Sequence, residues 1–340
     1  MKVIMVSGSY PPDICGAGDY TERLVRALRG LGVDVDVVTG PSWRLRDVAG
    51  VLKRIGASNT AITHLQYPTV GYGRNIGPQV VALLKCGVVT LHEASQTHIL
   101  RRLSLYPLLL SRHIIFTNRF EQAYVSRFAP WLPGRSSIIP IGSNIPVGRV
   151  SGERVLDEIV YFGLIRPEKG LESVLKLAAI LKQRGSAMRV RIVGHALKEH
   201  QSYLDSLRSR SAQLPVIWDL GLSDFATAGR LARAAYAYAP FPDGASERRG
   251  SLLALLANGV AVVTTQGTQT PLALKKAVEF AASPANAATI LEALAVDSRH
   301  RERLSGDAMR YASQFSWPAI AHLHLRVYQG LIEQNRTRVA

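Results

Sequence analysis

The chain has 340 residues, 47% of them hydrophobic, which suits two cores of roughly 150 residues each better than one ordinary domain. Lys and Arg outnumber Asp and Glu by 41 to 25, and the formal charge of +16 favours polyanionic partners such as nucleoside diphosphates, anionic lipid or nucleic acid. Nucleic acid is disfavoured by the lack of a helix-turn-helix, zinc-finger or RNP pattern, and disulfides or a thiolate metal site by the two isolated cysteines, Cys15 and Cys86.

The opening residues, Met1 to Val6, run straight into Gly8 and Pro11 and do not resemble a signal peptide. The longest apolar run, Leu103 to Phe116, is broken by Arg112 and His113, short of the roughly 20 residues that a membrane span needs. A cytoplasmic protein is expected, at most peripheral at the inner face of a membrane.

Short β-branched runs alternate with helical patterns, which predicts a doubly wound parallel sheet. Strands are expected at Lys2 to Ser7, Val33 to Thr39, Thr60 to Gln66, Gly87 to His92, His113 to Asn118 and Ser137 to Ile141. The first crossover helix carries Tyr20, Leu24, Val25, Leu28 and Leu31 on one stripe and ends at Gly30 and Gly32. Turn-formers from Pro140 to Pro146 and a charged stretch from Arg149 to Glu158 then mark a boundary, giving a first domain over 1–148. A second unit of the same kind, 149–316, has strands at Ile159 to Phe162, Arg189 to Val193, Val216 to Trp218, Ala235 to Ala239, Ala261 to Thr265 and Val278 to Phe280. A last helix, Trp317 to Glu333, bears Ile320, Leu323, Val327 and Leu331 on one stripe, so 317–340 is expected to return to the first domain.

Ligands of open parallel sheets bind at the carboxyl ends of the strands, which directs attention to the loops there. After the first strand, Gly16 and Gly18 open a helix where backbone amides can meet an anion. The spacing departs from the dinucleotide fingerprint, because Gly18 is followed by Asp19, Tyr20 and Thr21. Asp19 either caps that helix or acts as a base. His92 ends a strand and projects from it, either as a surface histidine or as a site residue.

Apparent metal patterns do not hold. Asp34 and Asp36 lie in an alternating strand on one face, His98 is two residues too late after His92-Glu93 for H-E-x-x-H, and His322 and His324 are misplaced for one helical face. No metal and no other cofactor is expected.

The stretch Tyr161 to Glu172 turns from strand to helix with Arg166, Lys169, Gly163 and Gly170 in the connection. Arg166 offers a fork for two phosphate oxygens and Lys169 a compact charge, a pair suited to a leaving diphosphate. A solvated turn with Lys169 paired to Glu168 or Glu172 is the other reading. Gly194 ends the next strand and joins the candidate donor-binding set. Further on, Arg249 precedes Gly250-Ser251, whose helix start offers amides and a hydroxyl to a phosphate or is an ordinary cap.

Gly16-Ala17-Gly18-Asp19-Tyr20-Thr21, the Tyr161 to Glu172 stretch and Pro240 to Thr265 together resemble family 4 glycosyltransferases, and the resemblance runs from the first strand to the last helix. It implies the GT-B fold, with two Rossmann-like domains facing across a cleft, a nucleotide-sugar donor held mainly by the second domain, an acceptor side on the first, retention of configuration and no metal. The family's usual lysine falls on Lys169, whereas Leu164 stands where its arginine is usual, leaving Arg166 as the nearest guanidinium. The places of the paired glutamates fall on Ser246 and Ala254, with Glu247 one residue off the first. Catalytic roles are expected for His92, Asp19 and Glu247. Arg101, Arg102, Arg112, Arg119, Arg127 and Arg135 against Glu121, interleaved with leucines between Gln96 and Arg135, fit an anionic membrane surface and a lipid-linked acceptor, or a buried helix with solvated arginines. Beside the enzyme stand a non-catalytic nucleotide-binding or scaffold subunit and a sugar-nucleotide epimerase.

Overall fold

A computed structural model describes residues 1–13, 15–40, 42–56, 61–95, 102–149 and 152–339; Ile14, Thr60, Gln96, His98 and Arg101 of the preceding section lie outside them. The chain divides into two compact units, Met1–Gly142 with Ser316–Ala340, and Ser143–Phe315.

In the first unit, β1 (Lys2–Val6), β2 (Asp34–Val38), β3 (Ile62–Tyr67), β4 (Val88–Leu91), β5 (His113–Phe116) and β6 (Ser136–Ile138) form one parallel sheet in the order β2-β1-β3-β4-β5-β6. Its inner strands β1, β4 and β5 are mainly apolar because both faces are covered, whereas β3 also buries Thr63, His64 and Gln66. Val3, Met5 and Val88 face α1 (Gly16–Gly30), where Tyr20, Leu24, Val25 and Leu28 are buried. Ile4, Val6 and Val89 face the opposite layer of α2 (Val48–Ile55), α3 (Gly77–Lys85), α4 (Tyr106–Leu109) and α5 (Arg119–Ser126). Burying each such side chain contributes about 1.5–3 kcal/mol, and this, more than helix propensity, holds the layers in place.

The second unit repeats the plan with β7 (Val155–Ile165), β8 (Arg189–Ala196), β9 (Val216–Leu220), β10 (Ala234–Ala239), β11 (Ala261–Thr264) and β12 (Glu279–Phe280), parallel in the order β12-β11-β10-β7-β8-β9. Its helices are α6 (Leu171–Gln183), α7 (Gln201–Ser211), α8 (Asp224–Arg233), α9 (Gly250–Ala257), α10 (Pro284–Val296) and α11 (Ser298–Ser313). The last helix, α12 (Trp317–Val339), packs on α1 of the first unit and buries Ile320, Ala321, Tyr328 and Leu331.

The first division falls after Gly142, ahead of the boundary expected after Gly148, because the intervening stretch is tied to the second unit. Gly148 N–H donates to Asn258 Oδ1 at 2.9 Å, and a Cβ on Gly148 would come within 2.2 Å of the Ala228 carbonyl. Strand β7 also begins earlier than expected. Arg189 pairs with Asp157 (2.8 Å) and Arg191 grips Glu158 with two hydrogen bonds (2.6 and 2.7 Å), so the end of the charged stretch that reads as linker, from Val155 to Glu158, forms strand instead.

Candidate functional site

In a doubly wound sheet the ligand crevice opens where the strand order reverses. In the second unit that point lies between β7 and β10, which are hydrogen-bonded neighbours while β8 continues on the far side of β7. The loops after these two strands carry Arg166 and Lys169, and Arg249, Gly250 and Ser251.

The backbones of the two loops meet directly. Gly170 has φ +78°, and a Cβ there would sit 1.9 Å from the Pro240 carbonyl oxygen, so only glycine allows the contact. Behind the first loop, the buried Tyr161 hydroxyl donates to the carbonyls of Lys169 (3.3 Å) and Leu164 (3.4 Å). The loop after β10 is fixed by Thr265 Oγ1 donating to Phe241 O (2.5 Å) and Thr270 Oγ1 to Ala245 O (2.7 Å). These braces make a stiff frame for the charged side chains.

On this frame Lys169 is half-buried. Burial pulls its pKa below the ordinary lysine value, Arg166 and Arg249 push the same way, and Asp243 and Glu168 oppose them. Arg166 is exposed. Arg249 lies over the Phe241 ring, 5.1 Å from its centroid, pairs through Nη2 with Asp243, and leaves its buried Nε with no hydrogen-bond partner among the described residues. Three cations thus face two carboxylates, one of them already engaged by Arg249. The residual field is positive and suits a dianionic diphosphate.

Residue Arg249 is also the N-cap of α9 and forms no side-chain cap, so the first amides of that helix, at Gly250 and Ser251, have no side-chain acceptor at the cap. Glu247 is held by a partner on α11, its Oε1 accepting from the Tyr311 hydroxyl at 3.1 Å. Ala254, at the place of the second usual glutamate, is fully buried. Gly163 and Gly194 are register partners on β7 and β8, and a Cβ on Gly194 would meet the Gly163 carbonyl at 1.9 Å. Packing between strands therefore accounts for glycine at Gly194.

The corresponding reversal in the first unit lies between β1 and β3. Gly71 N–H donates to Ser9 Oγ (2.7 Å), joining the loops after those strands. Gly18 presses against Ser9, where a Cβ would lie 3.0 Å from the carbonyl oxygen, while Gly16 is exposed with nothing within 4 Å of a Cβ. The capping reading of Asp19 is corrected: Cys15 is the N-cap of α1, and Asp19 lies in the first turn, where its charge favours the positive helix end. The acidic pair on β2 is also a structural feature, with Asp36 bound to Lys2 at 2.8 Å.

A partly exposed His92 follows β4 and packs edge-on to Tyr20, ring centroids 4.8 Å apart. Its Nε2 lies 3.0 Å from Gln66 Oε1. A carboxamide oxygen only accepts, so Nε2 carries the proton and Nδ1 is the acceptor. Gln66 in turn touches His64 Nε2 (3.2 Å), which accepts from Thr90 Oγ1 (2.7 Å), while His64 Nδ1 meets the Tyr328 hydroxyl (2.6 Å). His324 binds the Ile320 carbonyl through Nδ1 (2.9 Å), with Tyr20 Oη 3.4 Å from its Nε2. Chain reading missed this network because its partners lie on β3, β4, α1 and α12.

Burial holds all three histidines neutral. It pushes His92 and His324 down to about 4, His92 with a smaller push from His324, and His64 well below its ordinary value. Between pH 6.5, the ordinary value, and about 4 the unfolded chain binds more protons than the folded one. Stability is therefore complete above that window and falls as pH drops through it, by up to about 1.4 kcal/mol per pH unit for each histidine. Urea unfolding of the full chain at stepped pH checks this, and His64→Gln is expected to flatten the slope; an equally steep slope in that variant counts against the assignment.

Among the described residues no group of three or more His, Cys, Asp or Glu is placed to hold a metal ion. A groove of about 500 Å³ between β6 and α12, lined by His113, Ser137, Arg326 and Gln334, lies beside the first residue of β5, at the opposite end of the strands from His92.

No family model and no curated protein matches the sequence. The fold does match solved structures. Sucrose-phosphate synthase from Thermosynechococcus elongatus aligns over 98% of this chain and 100% of its own, with a TM-score of 0.72 and 16% identity. HepE from Anabaena, whose crystal structure holds UDP and glucose, aligns over 97% of this chain and 100% of its own, with a TM-score of 0.69 and 15% identity. WaaG, a glycosyltransferase involved in lipopolysaccharide biosynthesis, aligns over 95% of this chain and 98% of its own, with a TM-score of 0.60 and 13% identity. The chain has the GT-B fold.

Proposed function

We propose that the protein is a family 4 glycosyltransferase variant lacking the usual paired glutamates, and that it transfers a sugar from a nucleotide-sugar donor. The observation that carries this reading is the cluster of Lys169, Arg166 and Arg249 at the strand-order reversal of the second unit, beside the uncapped start of α9. HepE, of similar fold, binds UDP and UDP-glucose.

In this reading the donor diphosphate lies on Arg166, Lys169, Arg249 and the amides of Gly250 and Ser251. Those cations supply the charge that a divalent ion would otherwise carry, so transfer is expected to persist in EDTA. The reaction retains configuration, and the leaving phosphate accepts the proton of the incoming hydroxyl as the glycosidic bond to the donor breaks. No separate base is then needed; an inverting course would use Asp19. His92, neutral with Nδ1 as acceptor, serves the acceptor side on the first unit. The acceptor is a lipid-linked saccharide in cell-surface polysaccharide or glycolipid synthesis, reached by a cytoplasmic enzyme peripheral to the membrane. WaaG, of similar fold, acts in lipopolysaccharide biosynthesis.

The engagement of Glu247 by Tyr311 favours a second reading, a nucleotide-binding subunit without turnover. A panel of UDP-, GDP-, ADP- and dTDP-sugars separates the two. Nucleotide release with any donor supports the transferase, thermal stabilisation by nucleotide without release supports the subunit, and neither response defeats both.

A further inference from the structure

We propose that the outer surface of α3 and of residues 102–110 lies on an anionic lipid bilayer. This deepens the lipid-linked acceptor reading above and gives it a location, but it rests on different residues.

Residues 102–110 are apolar on both sides. Leu105, Leu108 and Leu109 are buried in the core of the first unit. Leu103, Tyr106 and Leu110, spaced three and then four residues apart, point outward and are 68%, 37% and 60% exposed. Helix α3, which packs against α4, behaves the same way: Val81 and Ala82 are buried, whereas Leu83 and Leu84 are 54% and 61% exposed. Helical segments that are apolar all round are ordinarily covered, and a cluster of exposed leucines on adjoining helices marks an interaction surface.

Charge identifies the partner. Residues 40–135 contain twelve Lys and Arg against three Asp and Glu. One of the three acids, Glu121, is buried and accepts from Ser95 N–H (2.8 Å) and Ser95 Oγ (2.5 Å). Exposed Lys85 follows Leu84, exposed Lys53 and Arg54 stand on α2 next to α3, and exposed Arg127 precedes Phe128, whose ring lies 6.1 Å from that of Tyr106. A second copy of this surface would bring like charges together, whereas an anionic bilayer meets the cations with phosphate and the leucines with acyl chains. Tyr106 is suited to the headgroup level between them. The contact is a surface one, since no described helix is long and apolar enough to cross a membrane.

The test is sedimentation of the full chain with phosphatidylcholine vesicles, with and without phosphatidylglycerol, at low and high salt. Binding is expected only to the anionic vesicles, weakening about tenfold or more as salt rises. In Leu84→Ser/Leu110→Ser and in Lys85→Glu/Arg127→Glu it is expected to fall by about tenfold more, with melting temperature and nucleotide release from a soluble donor unchanged. Equal binding to neutral vesicles, no binding to anionic ones, or undiminished binding by the leucine variant overturns the proposal. So does a wild-type dimer that the leucine variant dissolves, which would assign the surface to a second copy. Vesicle binding needs no donor, so a protein that binds vesicles but releases no nucleotide would refute the transferase reading and leave this surface standing.

Discussion

Replacing Lys169 by alanine is expected to lower kcat/KM for sugar transfer by about a hundred to a thousandfold, or about 3–4 kcal/mol of transition-state stabilisation. The effect falls on catalysis because charge builds on the leaving diphosphate as the sugar departs, and Lys169 is a half-buried cation coupled to Arg166 and Arg249 at the reversal between β7 and β10. Stability is expected to stay level or rise slightly. The folded protein holds the Lys169 ammonium against burial and against Arg166 and Arg249, so its pKa is depressed and removing the charge relieves a cost. The same shift fixes the sign of the pH response. Donor affinity is lost as pH rises through the lowered lysine pKa, and donor binding, by adding negative charge, raises that pKa and draws in a proton. Initial rates across a donor titration, a melting curve and calorimetry in two buffers of different ionisation enthalpy read these effects. Wild-type rates in the alanine variant would remove the diphosphate site as drawn. Arg166→Ala should lose less, because Arg166 is exposed and its interactions are screened by solvent.

Strand positions were legible wherever β-branched runs end in punctuation, as at Val88–Leu91 before His92 and Ala261–Thr264 after Gly259. The start of β7 was not, because Asp157 and Glu158 read as linker until Arg189 and Arg191 on β8 neutralise them across the sheet. The site divides in the same way. Arg166 and Lys169 stand in one short stretch whose strand-to-helix turn is visible in the chain. Their coupling to Arg249 and Asp243 depends on β10 lying beside β7, which local pattern cannot supply. Glu247 could be counted along the chain, but its bond to Tyr311 crosses 64 residues. Likewise His64 and Gln66 look like polar intrusions in a buried strand until Tyr328, 264 residues from His64, is placed against it by the return of α12.

Gly170→Ala should be the most damaging single methyl group added to the site. Gly170 joins the loop after β7 to the loop after β10 by backbone contact, so a Cβ must displace either Pro240 or the start of α6. An αL alanine costs about 1–2 kcal/mol by itself, and the 1.9 Å overlap with a carbonyl adds more, for a total of about 3 kcal/mol or above. For a unit the size of Ser143–Phe315 that corresponds to a fall in melting temperature of roughly 6–12 °C. Activity is expected to drop further than the folded fraction does, since relief of the clash moves Lys169 away from Arg249. Gly16→Ala is the control: exposed, at the first position of α1 and with open space around its Cβ, it should melt no lower than wild type. Any activity lost there reports a ligand close to that backbone, whereas wild-type melting and activity in Gly170→Ala would mean that the two loops do not meet as described.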